Sequence, residues 1–156
     1  MDLYQLILQN YKITEYRQRV TYKVTTEPTS EPVTLTEAKN HLRMDGLTVD
    51  DDLINSLITA ARQYAEMYCN RGFVTQTITQ VYNRFPPSGE VLRLSVSPVQ
   101  SLSNVTYTDE NGVSQTWSGS NYVLDTFTEP CEVSEVNNIS YPSTVDQKNT
   151  VTAVYV

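Results

Sequence analysis

Between residues 32 and 85 the chain gives two helical patterns and then a strand pattern in immediate succession, and this limits the available folds more than any other feature. Thr34 and Glu37 stand three apart ahead of an apolar run, the spacing of a capping box, in which each side chain satisfies a backbone N–H at a helix start. Leu35, Ala38 and Leu42 share one face of that helix, and Asp45-Gly46 is expected to stop it. A second helix is expected over about 50–70. Asp50, Asp51 and Asp52 suit a helix N-terminus. Leu53, Ile54, Leu57, Ile58, Ala61, Tyr64, Ala65 and Tyr68 form an apolar stripe wide enough to need more than one neighbour. Gly72 suits a left-handed cap after it. From Phe73 to Phe85 the chain is rich in Val, Ile, Thr and Tyr, which is strand chemistry.

The remainder reads as short strands. Leu92, Leu94 and Val96 alternate with polar residues. Residues 102–108 and 113–117 flank Asp109-Glu110-Asn111-Gly112, a hairpin signal. Residues 122–124 and 151–156 are further strands, and 126–149, with Pro130, Pro142 and many Asn and Ser, read as loop. Ahead of the helical pair, residues 2–19 carry a partial apolar stripe of Leu3, Leu6, Ile7, Tyr11 and Tyr16 that no Gly or Pro interrupts, so a helix is expected there that needs a packing partner. Residues 20–26 look like a strand and 27–32 like a linker. The fold class expected is α+β: a small helical bundle (about 34–44 and 50–70, with 2–19) carrying a β-rich antiparallel region over about 73–156. Residues 1–31 would form an arm and 32–156 the main domain.

A chain of 156 residues fits one ordinary domain, or one domain with an arm. The 11 tyrosines and the abundance of Thr, Ser, Asn and Gln agree with a β-rich protein with a polar surface. The net charge of −7 is uneven: residues 1–85 hold 10 acidic and 9 basic side chains (−1), whereas 86–156 hold 8 acidic and only Arg93 and Lys148 (−6). So acidic a half makes a poor nucleic-acid binder, because phosphate contacts need cations. It serves solubility, keeps a surface off DNA, or meets a basic partner. Cys69 and Cys131 form neither a disulfide framework nor a zinc site by spacing, and free thiols are expected. No basic-then-apolar leader opens the chain, and no apolar run approaches the ~18 residues that span a membrane, so a chain made in the cytosol with no membrane association is expected.

Motifs for chemistry are missing. Asp45 with Asp50, Asp51 and Asp52 lacks calcium-loop spacing and is explained by helix capping. His41 is the one histidine, beside the Leu35/Leu42 face, and no Gly-x-Ser-x-Gly elbow accompanies it. Pairing of His41 with Cys69 is the remaining catalytic option and a weak one. Five glycines leave no phosphate loop. No catalytic residue, metal or cofactor is expected. Trp117, Tyr107 and Tyr122 read as cross-strand core or interface aromatics before they read as a stacking surface.

The segment 32–85 resembles the head–tail connector (adaptor) family of tailed bacteriophages. The likeness is carried by Pro-Val-Thr-Leu-Thr-Glu-Ala-Lys-Asn-His-Leu-Arg-Met-Asp at 32–45, Asp-Asp-Leu-Ile at 51–54, the helix from Ala60-Ala61-Arg62 to Tyr68, and Arg-Gly-Phe-Val-Thr-Gln-Thr at 71–77. Leu-Arg-Leu-Ser-Val-Ser-Pro-Val-Gln-Ser-Leu at 92–102, leading into Val105-Thr106-Tyr107, extends it, so that about 32–125 is covered. The resemblance implies a non-enzymatic virion protein, a ring of typically twelve copies beneath the portal that extends the DNA channel and offers a platform to neck or tail proteins. It implies residence at the virion neck, after assembly in the host cytoplasm, with genomic DNA passing through without specific binding. It also implies helices packed between subunits, which makes Leu53, Leu57, Ala61, Tyr64 and Tyr68 candidate core or subunit contacts and Leu3, Leu6, Ile7 and Tyr11 a candidate docking arm. The family usually continues past its last strand into C-terminal helices, whereas this sequence stops at Val156 on the strand. The apolar segment 3–16 is expected to take their place, in its own subunit or a neighbour's, unless another chain does.

The rival from a different class is a β-rich carbohydrate- or receptor-binding module of a phage tail. Exposed, clustered Trp117, Tyr107 and Tyr122 would favour it, and a ring-sized oligomer would disfavour it.

Overall fold

The computed structural model describes residues 21–156, so the helix expected over 2–19 lies outside the described residues. Two helices, α1 (Leu35–Leu42) and α2 (Asp51–Cys69), follow a first strand, β1 (Thr21–Thr26). Seven strands come after them: β2 (Thr77–Tyr82), β3 (Leu92–Arg93), β4 (Leu102–Thr108), β5 (Ser114–Trp117), β6 (Tyr122–Asp125), β7 (Glu132–Glu135) and β8 (Val151–Tyr155). The α+β class expected from the sequence is what the chain adopts.

The capping box forms as read: Thr34 Oγ1 accepts from the Glu37 N–H at 3.2 Å, and Glu37 Oε2 accepts from the Thr34 N–H at 2.8 Å. The Thr34 backbone and hydroxyl hold the Glu37 carboxyl below the usual carboxylate range, against a small opposing effect of burial. Both helix ends differ from expectation. α1 stops at Leu42 because Arg43 turns left-handed (φ 56°), ahead of Asp45-Gly46. α2 is closed by Asn70 (φ 52°) and not by Gly72; Asn tolerates this region better than most side chains. Gly72 instead lies against the sheet body, donating its N–H to the Ser97 carbonyl at 3.0 Å. At the α2 N-terminus Asp50 makes no side-chain cap, while Asp51 and Asp52 in the first turn complement the helix dipole and Asp51 takes the Lys39 ammonium at 2.6 Å.

The strands build two antiparallel sheets, a five-stranded one in the order β1-β2-β8-β4-β5 and a three-stranded one in the order β3-β7-β6. The β4–β5 hairpin forms as expected, with Asp109 Oδ1 accepting the N–H groups of Asn111 and Val113 in its turn. The strand expected over 73–85 contracts to Thr77–Tyr82, alternating half-buried and buried residues. Of the Leu92/Leu94/Val96 alternation only Leu92–Arg93 pairs as strand, yet all three apolar side chains point inward and are buried.

The expectation of loop throughout 126–149 is wrong at β7. Glu-Val-Ser-Glu at 132–135 has poor strand chemistry, but it is the central strand of the small sheet. Val133 is fully buried there. Glu132 takes Arg93 at 3.0 Å, and Glu135 accepts from the Ser88 hydroxyl and from the Gly89 and Tyr141 N–H groups. Tertiary partners for two carboxylates override local propensity.

The core runs between the sheets and is made of residues from strands and their connections, among them Ile78, Tyr82, Leu92, Leu94, Val105, Val133, Val151, Ala153 and Tyr155. One polar knot is embedded in it. Gln80, fully buried, gives its amide to the Tyr82 hydroxyl (2.6 Å) and the Arg93 carbonyl (2.7 Å), and its Oε1 accepts from the Ser95 N–H and the Tyr155 hydroxyl. Burial pushes both phenols far above their ordinary range, so each stays a neutral donor.

Candidate functional site

α2 is amphipathic in the unusual sense: its charged side faces the protein and its apolar side faces out. Arg62, almost wholly buried, is the pivot. Its Nη1 donates to Glu66 Oε2 and its Nε to Glu31 Oε2, each at 2.7 Å, and Nη2 reaches Glu27 at 3.5 Å. Glu31 also accepts from the Thr59 hydroxyl at 2.8 Å. Glu66 Oε1 accepts from the Phe73 N–H (2.8 Å) and the Gln76 amide (3.4 Å). These bonds tie α2 to the linker after β1 and to the chain entering β2. Burial works against the Arg62 charge, but hydrogen bonds to Glu31 and Glu66 hold its pKa above the ordinary value. The Arg62 hydrogen bond keeps the Glu31 carboxyl below its usual range, against desolvation.

The outer side is a continuous apolar stripe. Leu53 is 58% exposed, Leu57 59%, Tyr64 66% and Tyr68 79%, with Ala61 exposed between them and Met67 at the stripe's edge. All five stripe residues singled out from the sequence therefore stand on one face of one helix, and that face is uncovered among the described residues. Ile54 is the one buried apolar residue of the two helices, and it lies outside the main core. Where α1 meets α2, Val33, Ala38, Leu42, Ile58 and Phe73 line an apolar groove of about 590 Å³ that continues the stripe. Leu3, Leu6, Ile7 and Tyr11 lie outside the described residues.

Sequence reasoning did not find the residues that orient this surface. Arg62, Glu66 and Glu31 read as ordinary helix and linker charges; the available signal was an Arg/Glu pair four apart on the side opposite the apolar stripe. It also missed Phe127, which is wholly exposed on the loop after β6, where Asp125 Oδ1 accepts the Phe127 N–H at 2.8 Å.

The other candidates do not assemble into a site. His41 is exposed on the last turn of α1 and lines the groove, while Cys69 is exposed at the far end of α2; Cys69 and Cys131 are both free thiols. Among the described residues no three His, Cys, Asp or Glu side chains cluster as metal ligands, and no helix is long and apolar enough to cross a membrane. The aromatic group is inward: Trp117 is buried, and Phe85, Tyr107, Trp117, Tyr122 and Tyr141 pack ring on ring with centroids 5.0–5.6 Å apart. An exposed stacking platform of Trp117, Tyr107 and Tyr122 does not exist.

Known proteins share this fold. The virion of a native gene transfer agent (GTA) particle contains a chain similar in structure, with a TM-score of 0.70 at 16% identity over 86% of this chain and 70% of that one. A chain in the neck of the empty GTA particle, computed with C6 symmetry, superposes at 0.71, with 15% identity over 87% and 70%. One in the neck of the native particle, computed with C12 symmetry, superposes at 0.56, with 14% identity over 86% and 68%. No curated protein sequence matches the chain. The model of the Phage gp6-like head-tail connector protein family matches residues 32–121, which takes in both helices, the apolar stripe and the strands through β5. This match spans more than half of the sequence, and the chain belongs to the Phage gp6-like head-tail connector protein family.

Proposed function

We propose that this connector protein acts as one subunit of a homo-oligomeric ring in the neck of a phage-like particle, placed between the portal and the neck or tail proteins so that the DNA channel continues through it. The observation that carries the reading is the family match over the helical pair, supported by the fold shared with chains in particle necks computed with C6 and C12 symmetry. A permanent ring needs extensive, partly apolar contacts, and α2 offers an apolar face with few inward obligations. Leu53, Leu57, Ala61, Tyr64 and Tyr68 are its contact residues in this reading. The acidic half supports passage of DNA without adhesion: with −6 over residues 86–156, a lining from that half repels phosphate. The role is structural and non-enzymatic.

Cryo-electron microscopy of purified particles tests the placement. Symmetric density for this chain between portal and tail is the expected outcome. Density at a fibre tip or on the capsid surface would discard the ring and bring back a receptor-binding module, a role that the buried aromatic cluster does not favour.

A further inference from the structure

We infer that, outside any larger assembly, the chain pairs with a second copy of itself through the exposed face of α2, the two helices antiparallel about a two-fold axis between Ala60 and Ala61. Three observations single out a second copy as the occupant. The first is the symmetry of the face. Leu53 and Leu57 stand exposed before the exposed alanines at 60 and 61, and Tyr64 and Tyr68 stand exposed after them at matching distances. A two-fold contact repeats each pairing twice, so position 53 of either copy meets position 68 of the other, and 57 meets 64. Every leucine then lies against a tyrosine. The alanines at the crossing let the helix axes approach closely, because the side chains at the contact set that distance. Leu53 and Tyr64 are eleven residues apart, as are Leu57 and Tyr68. An eleven-residue repeat is about 3.67 residues per turn, close to a straight helix, so the face keeps its direction along its whole length.

The second is charge. From Leu53 to Cys69 no exposed position of α2 is charged. The two charged residues of that span, Arg62 and Glu66, are buried and bonded to each other. Copies of a chain with net charge −7 repel one another, and a face that brings no charge to the contact is where they meet at least cost. The charges at the two ends of the helix select the direction. Asp50, Asp51 and Asp52 lie at its start, and the partly exposed Arg71 follows its last turn. An antiparallel pair sets the carboxylates of one copy toward the arginine end of the other. A parallel pair would set both acidic ends side by side.

The third is size. Leu53, Leu57, Tyr64, Met67 and Tyr68 are each more than half exposed. Covering them in both copies removes about 1,200 Å² from water, the lower end of the range for specific pairs. That is the size of a contact that forms and separates. A two-fold contact closes on itself, whereas a ring of many copies is built head to tail, so the pair is not the ring contact. It occupies the same face, and in the ring reading proposed above assembly has to separate it. The pairing itself does not depend on that reading.

The test uses the purified full chain. Its mass in solution is followed by sedimentation across a dilution series, for the wild type and for Leu57→Asp. Leu57 is exposed, so an unchanged circular dichroism spectrum is expected of the variant. In parallel, single cysteines are placed by Ala60→Cys and by Leu53→Cys, with the exposed Cys69 changed to Ser, and are oxidised in air. The expected result is a wild-type mass that rises from one chain toward two with concentration, and an association at least about tenfold weaker in Leu57→Asp. Ala60→Cys, beside the axis, should link two chains, and Leu53→Cys, about 22 Å from its own copy across the pair's length, should not. A single chain at every concentration would overturn the inference. So would a dimer that Leu57→Asp leaves intact, since another surface then holds it, or self-linking of Leu53→Cys, since the helices are then parallel. None of these outcomes decides the ring, which is read from the particle.

Discussion

The two regions of this protein are stabilised in opposite ways. In the β-rich body the apolar side chains point inward, the central residues of both sheets are buried, and the one polar knot inside, Gln80 with Tyr82 and Tyr155, is bonded to partners. In the helical pair the main inward contact is ionic, Arg62 with Glu66 and Glu31, and most of the large apolar residues, Ile54 apart, stand outside. The difference teaches what each region is for. In the proposed reading a helix held by charges at its back and apolar at its front presents the front to another surface, because exposing Leu, Tyr and Met in a row forgoes about 1.5–3 kcal/mol for each large side chain that burial would return.

Truncation in the two regions gives the largest contrast. Leu94, fully buried in the body, should cost about 2–5 kcal/mol as Leu94→Ala, read as a fall in the urea midpoint at unchanged slope. Arg62→Ala should cost about 3 kcal/mol, because it strands the nearly buried Glu66 carboxylate beside its remaining donors. Its signature differs. Hydrogen exchange should accelerate in α2 and in the 27–33 linker while β2, β4 and β8 keep their protection. Equal acceleration in the sheets would mean that the helical pair and the body are one cooperative unit, and the comparison drawn above would fail.

Acid should separate the regions as well. The Glu31 pKa is held below its unfolded value by Arg62. A carboxyl lowered in this way contributes stability that is fully present above its unfolded pKa, about 4.3, and is lost as pH falls through the lower folded value. The α2 attachment should therefore loosen below about pH 4. In Glu31→Gln the pH dependence in that window should flatten, while stability at neutral pH drops by the loss of the ionic bond. An unchanged acid profile would show that Glu66 alone holds the arginine. Smaller still is the cap: Thr34→Ala removes one side of the capping box and should cost about 1 kcal/mol, confined to the stability of α1.

The periodic parts of this design were legible in the sequence and the side of the helix that faces inward was not. The capping box, the stripe and the Asp-Glu-Asn-Gly hairpin are local patterns, set by residues within a few positions of one another, and they form where they were read. The orientation of the stripe depends on Glu27 and Glu31, which sit 35 and 31 residues from Arg62, and no window along the chain contains that information. β7 was hidden for the same reason: its carboxylates find Arg93, Ser88 and Gly89 only after the small sheet has assembled. Arg43 and Asn70 take the left-handed stops that the sequence reading assigned to glycines.

Phe127 sharpens the comparison from the other direction. It belongs to the β-rich body by position, on the loop between β6 and β7, yet it is 100% exposed and makes none of the body's packing contacts. If burial and not membership of a region sets the cost of a substitution, Phe127→Ser should change stability by no more than about 0.5 kcal/mol, an order below Leu94→Ala in the same body. The turn that presents it survives the change, since Asp125 Oδ1 holds the backbone N–H of residue 127 and not its ring. Urea melts of the purified full chain at two protein concentrations decide the matter. A loss above about 1 kcal/mol that shrinks on dilution would show that the ring is buried against a second copy, and would move Phe127 from the surface of a closed body to the set of proposed contact residues.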